Sequence, residues 1–425
     1  MTVIVLVLII FFIFLAMRVP IGTSMAIASI IGFISIDFNL ATVGSVVYTA
    51  VSNQSLMCIP GYILAGALMS RGGIAKALID CLKGWLGHIP GSLAIITTIC
   101  CAFFAAITGS STATVAAIGG LMMPAMLEDG YDENMTLGLT AASGTLGILI
   151  PPSIPMVLYC TVAGTAVSKQ FTAGLLPGLV IVFAYSVYSV IKSKKTQKGV
   201  TQRASMKERW QRTVYAIPAI LLPVTILGSI YGGVMTATEA SVWAIFYALV
   251  ISIFVYKGFT LQDFVKCIKS SIRSTSSIFF IIVGCQMFSL LLTTKRVPQT
   301  LMQWALANNL TTTEVILACM LLMIVTGMFL DGSSNMLICA PLMCPIVSAL
   351  GYNMIQFGIV LTIGVQFGQL TPPVGMNLFM VSGMMKRPVM KVVRGALPYI
   401  AILGIVWLLV GFVQPVSMLL PDMMK

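Results

Sequence analysis

TGSS at residues 108–111 and DGSS at residues 331–334 decide how this chain is read, because each interrupts a long apolar stretch. A glycine followed by two hydroxyls is a poor choice inside a helix. Glycine costs backbone entropy, and serine competes for backbone hydrogen bonds. Nearly the same polar tip therefore breaks the chain twice. The 425 residues around it are 58% hydrophobic and only 8% charged, with a mean hydropathy of +1.02. Soluble domains carry about 25% charged residues. Here apolar runs of about 20 residues, enough to cross a bilayer core, recur along the whole length. They lack the alternation of a membrane barrel strand. The fold class is an all-α polytopic membrane protein, embedded in a lipid bilayer.

Apolar segments fall at residues 3–17, 21–36, 51–69, 135–166, 172–191, 213–232, 238–256, 270–293, 354–384 and 396–413. Pro151-Pro152 and Pro372-Pro373 break two of them. Residues 92–127 and 312–347 each hold two apolar arms around one GSS and read as re-entrant hairpins. Non-helical backbone at that depth is tolerated where it is buried in protein or lines a cavity. Charge supports the hairpins. With the N-terminus outside, the basic loop 192–212 faces the cytoplasm together with nearly every other lysine and arginine, including Arg18. Only Lys169, Lys295, Arg296 and Lys425 remain outside, as the positive-inside rule requires. The first hairpin then enters from the cytoplasm and the second from the outside, with both termini periplasmic. The same distribution accounts for the net charge of +12 without nucleic acid. The first segment lacks a basic start and reads as a helix rather than a signal peptide. The ten cysteines show no metal or disulfide spacing.

The two halves repeat. Thr108 aligns with Asp331 at an offset of 223, and GILIPP at 147–152 aligns with GQLTPP at 368–373 at an offset of 221. Five crossings per half invert the second copy: residues 1–191 form the first repeat, 192–212 a linker and 213–425 the second repeat. Inverted repeats with discontinuous helices are the plan of many secondary transporters. The two tips should then meet near the midplane from opposite sides. Proline removes a donor and clashes with the preceding turn, so residues 144–150 and 365–371 are expected to be unwound, with carbonyls free for a cation. The helices restarting beyond Pro152 and Pro373 point positive dipole ends inward. Asp331 is costly at that depth unless paired or bound to an ion. Glu239 reads at least equally as a helix cap. His88, the one histidine, falls in a basic segment, 71–90, expected to lie along the membrane surface. No nucleophile–base pair suggests an enzyme. The acidic cluster at 128–133 reads as a solvated turn.

TGSSTATVAAIG, TLGILIPPSI, TATEA, FLDGSSNM and FGQLTPPVGMN together resemble the large membrane subunit of tripartite ATP-independent periplasmic (TRAP) transporters, over the whole chain. The resemblance implies an elevator transporter in the bacterial inner membrane that imports organic anions with Na⁺. It implies a soluble periplasmic binding protein and a small four-helix membrane subunit, here a separate chain. Sialic acid and C4-dicarboxylates are the substrates it suggests. Carried onto this sequence, one Na⁺ site uses Ser110, Ser111, Thr112 and carbonyls from Gly144 to Gly147. A second uses Asp331, Ser333, Ser334, Asn335, Gln366 and the stretch from Gly368 to Thr371. The substrate carboxylate is expected near Ser111, Ser153, Asn335 and Asn377. With the repeat, the resemblance assigns 92–166 and 312–384 to a moving transport part and the rest to a scaffold. A stand-alone Na⁺/dicarboxylate symporter and an ion channel remain as alternatives.

Overall fold

The computed structural model describes residues 2–17, 19–194 and 204–424. Arg18, Lys195, Lys198, Arg203 and Lys425, all used in the charge reading, lie outside the described residues. The first half runs through α1 (Thr2–Ala16), α2 (Ile21–Ile34), α3 (Leu40–Val51), α4 (Cys58–Arg71) and α5 (Ile74–Leu86). It continues as α6 (Ser92–Thr108), α7 (Ser111–Thr114), α8 (Gly120–Glu128), α9 (Glu133–Gly144), α10 (Ile154–Ala163) and α11 (Val167–Lys194). The second half holds α12 (Met206–Tyr231), α13 (Ala237–Val250), α14 (Leu261–Thr294), α15 (Val297–Ala307), α16 (Thr312–Gly327) and α17 (Gly332–Ala349). It ends with α18 (Met354–Gln369), α19 (Met376–Met385), α20 (Val389–Phe412) and α21 (Pro415–Met423). Among the described residues there is no strand.

A chain with few polar residues spends them on helix starts. The first-turn N–H groups have no intrahelical partner and, away from water, must find one. Asn39, Asp132, Ser153, Thr236, Thr260, Thr311, Asp331 and Asn353 each supply it from their own side chain. Thr236 with Glu239, Thr260 with Asp263 and Thr311 with Glu314 form reciprocal capping boxes. Glu239 is therefore a cap.

Among the described residues, six helices are long and apolar enough to cross a membrane, seven if the bent pair Gln54–Arg71 and Ile74–Leu86 is one span. The two helices of that pair meet at a 62° bend. With 15 and 14 residues, α1 and α2 fall short of the roughly 20 that span a bilayer core. Two helices, α3 and α21, were not anticipated. At the C-terminal end, α21 buries Met418 and packs on α11. The basic approach to the 270–293 segment is itself helical, because the Thr260 box starts α14 at Leu261.

Packing sorts the helices into two groups, and both halves of the sequence contribute to each. In one, α2 lies along α14, α1 on α2, α4 against α13 and α14, and α12 against α5 and α13. In the other, α9 lies along α20, α18 packs on α16, α17 and α20, and α10 packs on α17. There α11 joins α6, α18, α20 and α21. The groups meet where α4 and α5 touch α6, and where α14 and α15 touch α17. Thus α11, α20 and α21, beyond the expected limits of 92–166 and 312–384, belong by packing with the broken helices.

Candidate functional site

Thr108 closes α6, Gly109 turns the chain at φ +58°, and Ser110 runs extended into α7. Only glycine takes that backbone readily. A Cβ there would also lie 2.9 Å from the Pro152 carbonyl oxygen. Beyond α7 the helix passes through a π turn, Val115–Gly119, into α8. Such turns gather at functional positions. The Ile154 N–H, at the restart of the broken helix, donates to the Gly109 carbonyl at 3.3 Å. The second half has a counterpart. The N–H groups of Val374 and Gly375, in the break before α19, donate to the Met328 carbonyl at 3.2 and 3.4 Å. Each helix–turn–helix pair is thus tied by backbone bonds to the interruption of its own half.

Asp331 is the N-cap of α17. Its carboxylate accepts the N–H groups of Ser333 at 3.0 Å and Ser334 at 3.3 Å, and the Ser334 hydroxyl.

The two tips face one cavity of about 170 Å³. Ser110, Ser111 and Thr112 line it from one side, Asp331, Gly332 and Ser333 from the other. Four helix starts converge there: Ser111, Ile154, Gly332 and Met376 all line it. Each brings the positive end of its peptide dipoles to the cavity, although Ser153 and Asp331 already accept first-turn N–H groups of α10 and α17. Gln369 and Ser274 of α14 complete the polar wall. Around it, Gln366 Oε1, Gln369 Oε1 and Asn377 Oδ1 are buried without a hydrogen-bond partner. Among the described residues no group of three His, Cys, Asp or Glu could hold a metal ion. The oxygens here are hydroxyls, amides, carbonyls and one carboxylate. That set suits a hard cation rather than a transition metal.

Of the residues singled out in the sequence, Ser110, Ser111, Thr112, Asp331 and Ser333 line the cavity. Asn377 stands behind Ser111, with Nδ2 donating to Ser111 Oγ at 2.7 Å and to the Ala141 carbonyl at 3.0 Å. Gly147 leaves room for the first tip: a Cβ there would lie 2.5 Å from the Ser110 carbonyl oxygen. One at Gly144 would strike Val115. Gln366 Nε2 donates to the Thr145 carbonyl at 2.9 Å, joining the two broken helices.

The others are engaged elsewhere. Ser334 donates to Asp331. Asn335 sits inside the second pair, accepting from Thr326 Oγ1 at 2.6 Å. Ser153 caps α10 and donates to the Ile148 carbonyl at 2.5 Å. Gly368 packs on Gly327, and Thr371 Oγ1 donates to the Phe367 carbonyl at 2.7 Å. The unwound segments are also shorter than expected. Gly144 is still helical, Thr145–Ile148 is a 3-10 turn, and α18 holds to Gln369. The reason is local: a proline disturbs only the turn just before it, so Val365 and Gln366 keep their helix. Gln369, inside the expected stretch from Gly368 to Thr371, lines the cavity; sequence reading missed Ser274, in the hydroxyl-rich part of α14.

The description of the DctM component of tripartite ATP-independent periplasmic transporters matches residues 8–416. The chain is 37% identical to the C4-dicarboxylate TRAP transporter large permease protein DctM of Pseudomonas aeruginosa, over 87% of each. It is 32% identical to the sialic acid TRAP transporter large permease protein SiaM of Vibrio cholerae, over 88% of this chain and 87% of that one. With the isethionate TRAP transporter permease protein DctMQ of Oleidesulfovibrio alaskensis it shares 34% identity, over 96% of this chain and 65% of that one. In fold it is similar to the Alcanivorax borkumensis YdaH transporter, with a TM-score of 0.65 at 13% identity, over 88% of this chain and 89% of that one. The chain therefore belongs to the DctM family, a membrane-embedded permease component of tripartite ATP-independent periplasmic transporters.

Proposed function

We propose that this permease imports an organic acid anion driven by Na⁺, and that the cavity between the two tips is where both bind. The observation that carries this is the meeting of TGSS and DGSS, 223 residues apart, on one 170 Å³ cavity at four helix starts. The helix starts favour a carboxylate. Na⁺ would use the Ser110, Ser111 and Thr112 oxygens with carbonyls near Gly144 and Gly147 on one side. On the other it would use Asp331, Ser333 and the Gln366 and Gln369 amides. Ser334, Asn335, Ser153, Gly368 and Thr371 support these ligands through the bonds and contacts described, and Asn377 holds Ser111 in place. Each net positive charge carried inward is worth about 2.3 kcal/mol per 100 mV; with a dicarboxylate dianion, that takes three Na⁺ for one such charge.

The moving body in an elevator cycle would be α6–α11 with α16–α21, sliding against α1–α4 and α12–α14. The hairpins would be re-entrant, and the partners would be a periplasmic binding protein and a small membrane subunit, with both termini periplasmic. The substrate class follows the named specificities of the relatives, C4-dicarboxylate, isethionate and sialic acid, all anions. A 170 Å³ cavity is small against the roughly 300–1,000 Å³ of drug-sized ligand pockets, which favours a C4-dicarboxylate over a sialic acid.

Uptake of labelled succinate and of sialic acid into proteoliposomes, with the small subunit and an inward Na⁺ gradient, tests this. Succinate uptake requiring both Na⁺ and the binding protein is expected. Uptake without the binding protein would favour a stand-alone symporter, and currents without substrate a channel.

A further inference from the structure

A second cavity, of about 370 Å³, opens beside the first and shares Ser110, Thr112, Ile154, Ser274 and Ile278 with it. One wall is the first tip. The other is built from α4 and α14, the opposing group of helices. On α14, Ser270 and Ser274 lie four residues apart and so stand on one face, and both line the cavity. On α4, Ser70 and Arg71 line it where that helix ends. A line of hydroxyls therefore runs from the tip cavity, through Ser274 and Ser270, to one guanidinium.

Arg71 is only partly engaged. Its partner, Asp263, spends Oδ2 on the Thr260 N–H and hydroxyl at the start of α14, and presents Oδ1 to Arg71 Nη1 at 3.7 Å. That single long contact leaves most of the five-donor guanidinium fork free, and such forks match carboxylates. No lysine or arginine lines the tip cavity, so Arg71 is the first full positive charge an anion would meet along this route.

We infer that the second cavity is an anion vestibule and that Arg71 is its binding residue, taking a carboxylate as it leaves the tips. This rests on reading the tip cavity as the anion site, yet its test does not depend on transport. In a Cys267→Ala background with the small subunit present, Ser270→Cys would be labelled with an anionic and with a cationic methanethiosulfonate reagent. The Arg71→Gln change should lower the anionic-to-cationic rate ratio by about tenfold, the scale of electrostatic focusing in a charged cleft. Arg71→Lys should restore most of the ratio, and Lys266→Gln, on the exposed side of α14, should leave it as it was. An unchanged ratio in Arg71→Gln, or no labelling at position 270, overturns the vestibule. Should succinate uptake fail while the ratio shifts as expected, the fault lies with the tip-site reading alone.

Discussion

Gly147 shows how little slack the first tip has. An added Cβ would lie 2.5 Å from the Ser110 carbonyl oxygen and 2.7 Å from Thr114 Oγ1. The Ser110 carbonyl already accepts from Thr114 Oγ1 at 2.8 Å, so the tip has to shift as a unit to admit a methyl group. Gly383, in α19, has nothing within 4 Å of the same position, and alanine there gains helix propensity of roughly 0.8–1 kcal/mol. Gly147→Ala should lower Na⁺-dependent uptake by about tenfold or more, as sub-ångström displacements of reacting groups do elsewhere. Gly383→Ala should leave uptake intact and match or exceed the parent in thermal stability. Equal uptake by the two variants would mean that the tip does not set the site. The residue scale was also where sequence reading was least complete. Ser153 and Asn335 are buried polar residues, and their hydrogen bonds turn one to a helix cap and the other into the α16–α17 pair. Which way a side chain faces depends on partners brought in by tertiary packing, and spacing along the chain does not contain them.

Between elements, one contact ties the start of α9 to the α19–α20 corner. The Glu133 carboxylate receives Lys391 Nζ on one oxygen and Arg387 Nε on the other, the latter at 2.5 Å. Asp132, one residue earlier, caps α9. Within the acidic cluster, Glu133 is thus a clasp between α9 and the α19–α20 corner. The Lys391 ammonium, and then the Arg387 guanidinium, hold the Glu133 carboxyl below the usual carboxylate value of 4.5. A depressed folded value adds stability above that reference, and the contribution fades as pH falls through the folded value. The groups are partly exposed, which limits the effect to about 1 kcal/mol. Glu133→Gln should therefore melt about 1–2 °C lower at pH 7 and converge with the parent as pH falls through the depressed folded value of Glu133. A constant gap across that range would remove the clasp. Much at this scale was legible beforehand, because a repeated GSS and a repeated Pro-Pro leave no continuous helix to draw. The lengths of the breaks were not: a proline's reach ends within one turn, so α18 keeps its helix to Gln369. The short α3 and α21 escaped because neither is long enough to stand out in an already apolar chain.

Across the whole molecule, the first and second halves exchange partners. Tyr159 reaches the Met354 carbonyl, Gln170 the Ile355 carbonyl, Gln366 the Thr145 carbonyl and Asn377 Ser111. These bonds run between the halves within one packed group, and the other group, of α1–α5 and α12–α14, touches it through α4, α5, α12 and α14. Helix association in lipid has no hydrophobic drive, so hydrogen bonds and close packing decide which helices stay together. That is why α11 and α20 go with the broken helices, although the sequence offered no reason to move them there. The central claim is that the two tips make one site. Single cysteines at Ser110 and Ser333, each in the presence of the small subunit, would be reacted with a small thiol reagent, with and without Na⁺ plus succinate. The account predicts that both positions react in the empty protein and that Na⁺ with succinate protects both together. Protection of one position but not the other, or of neither, would contradict it.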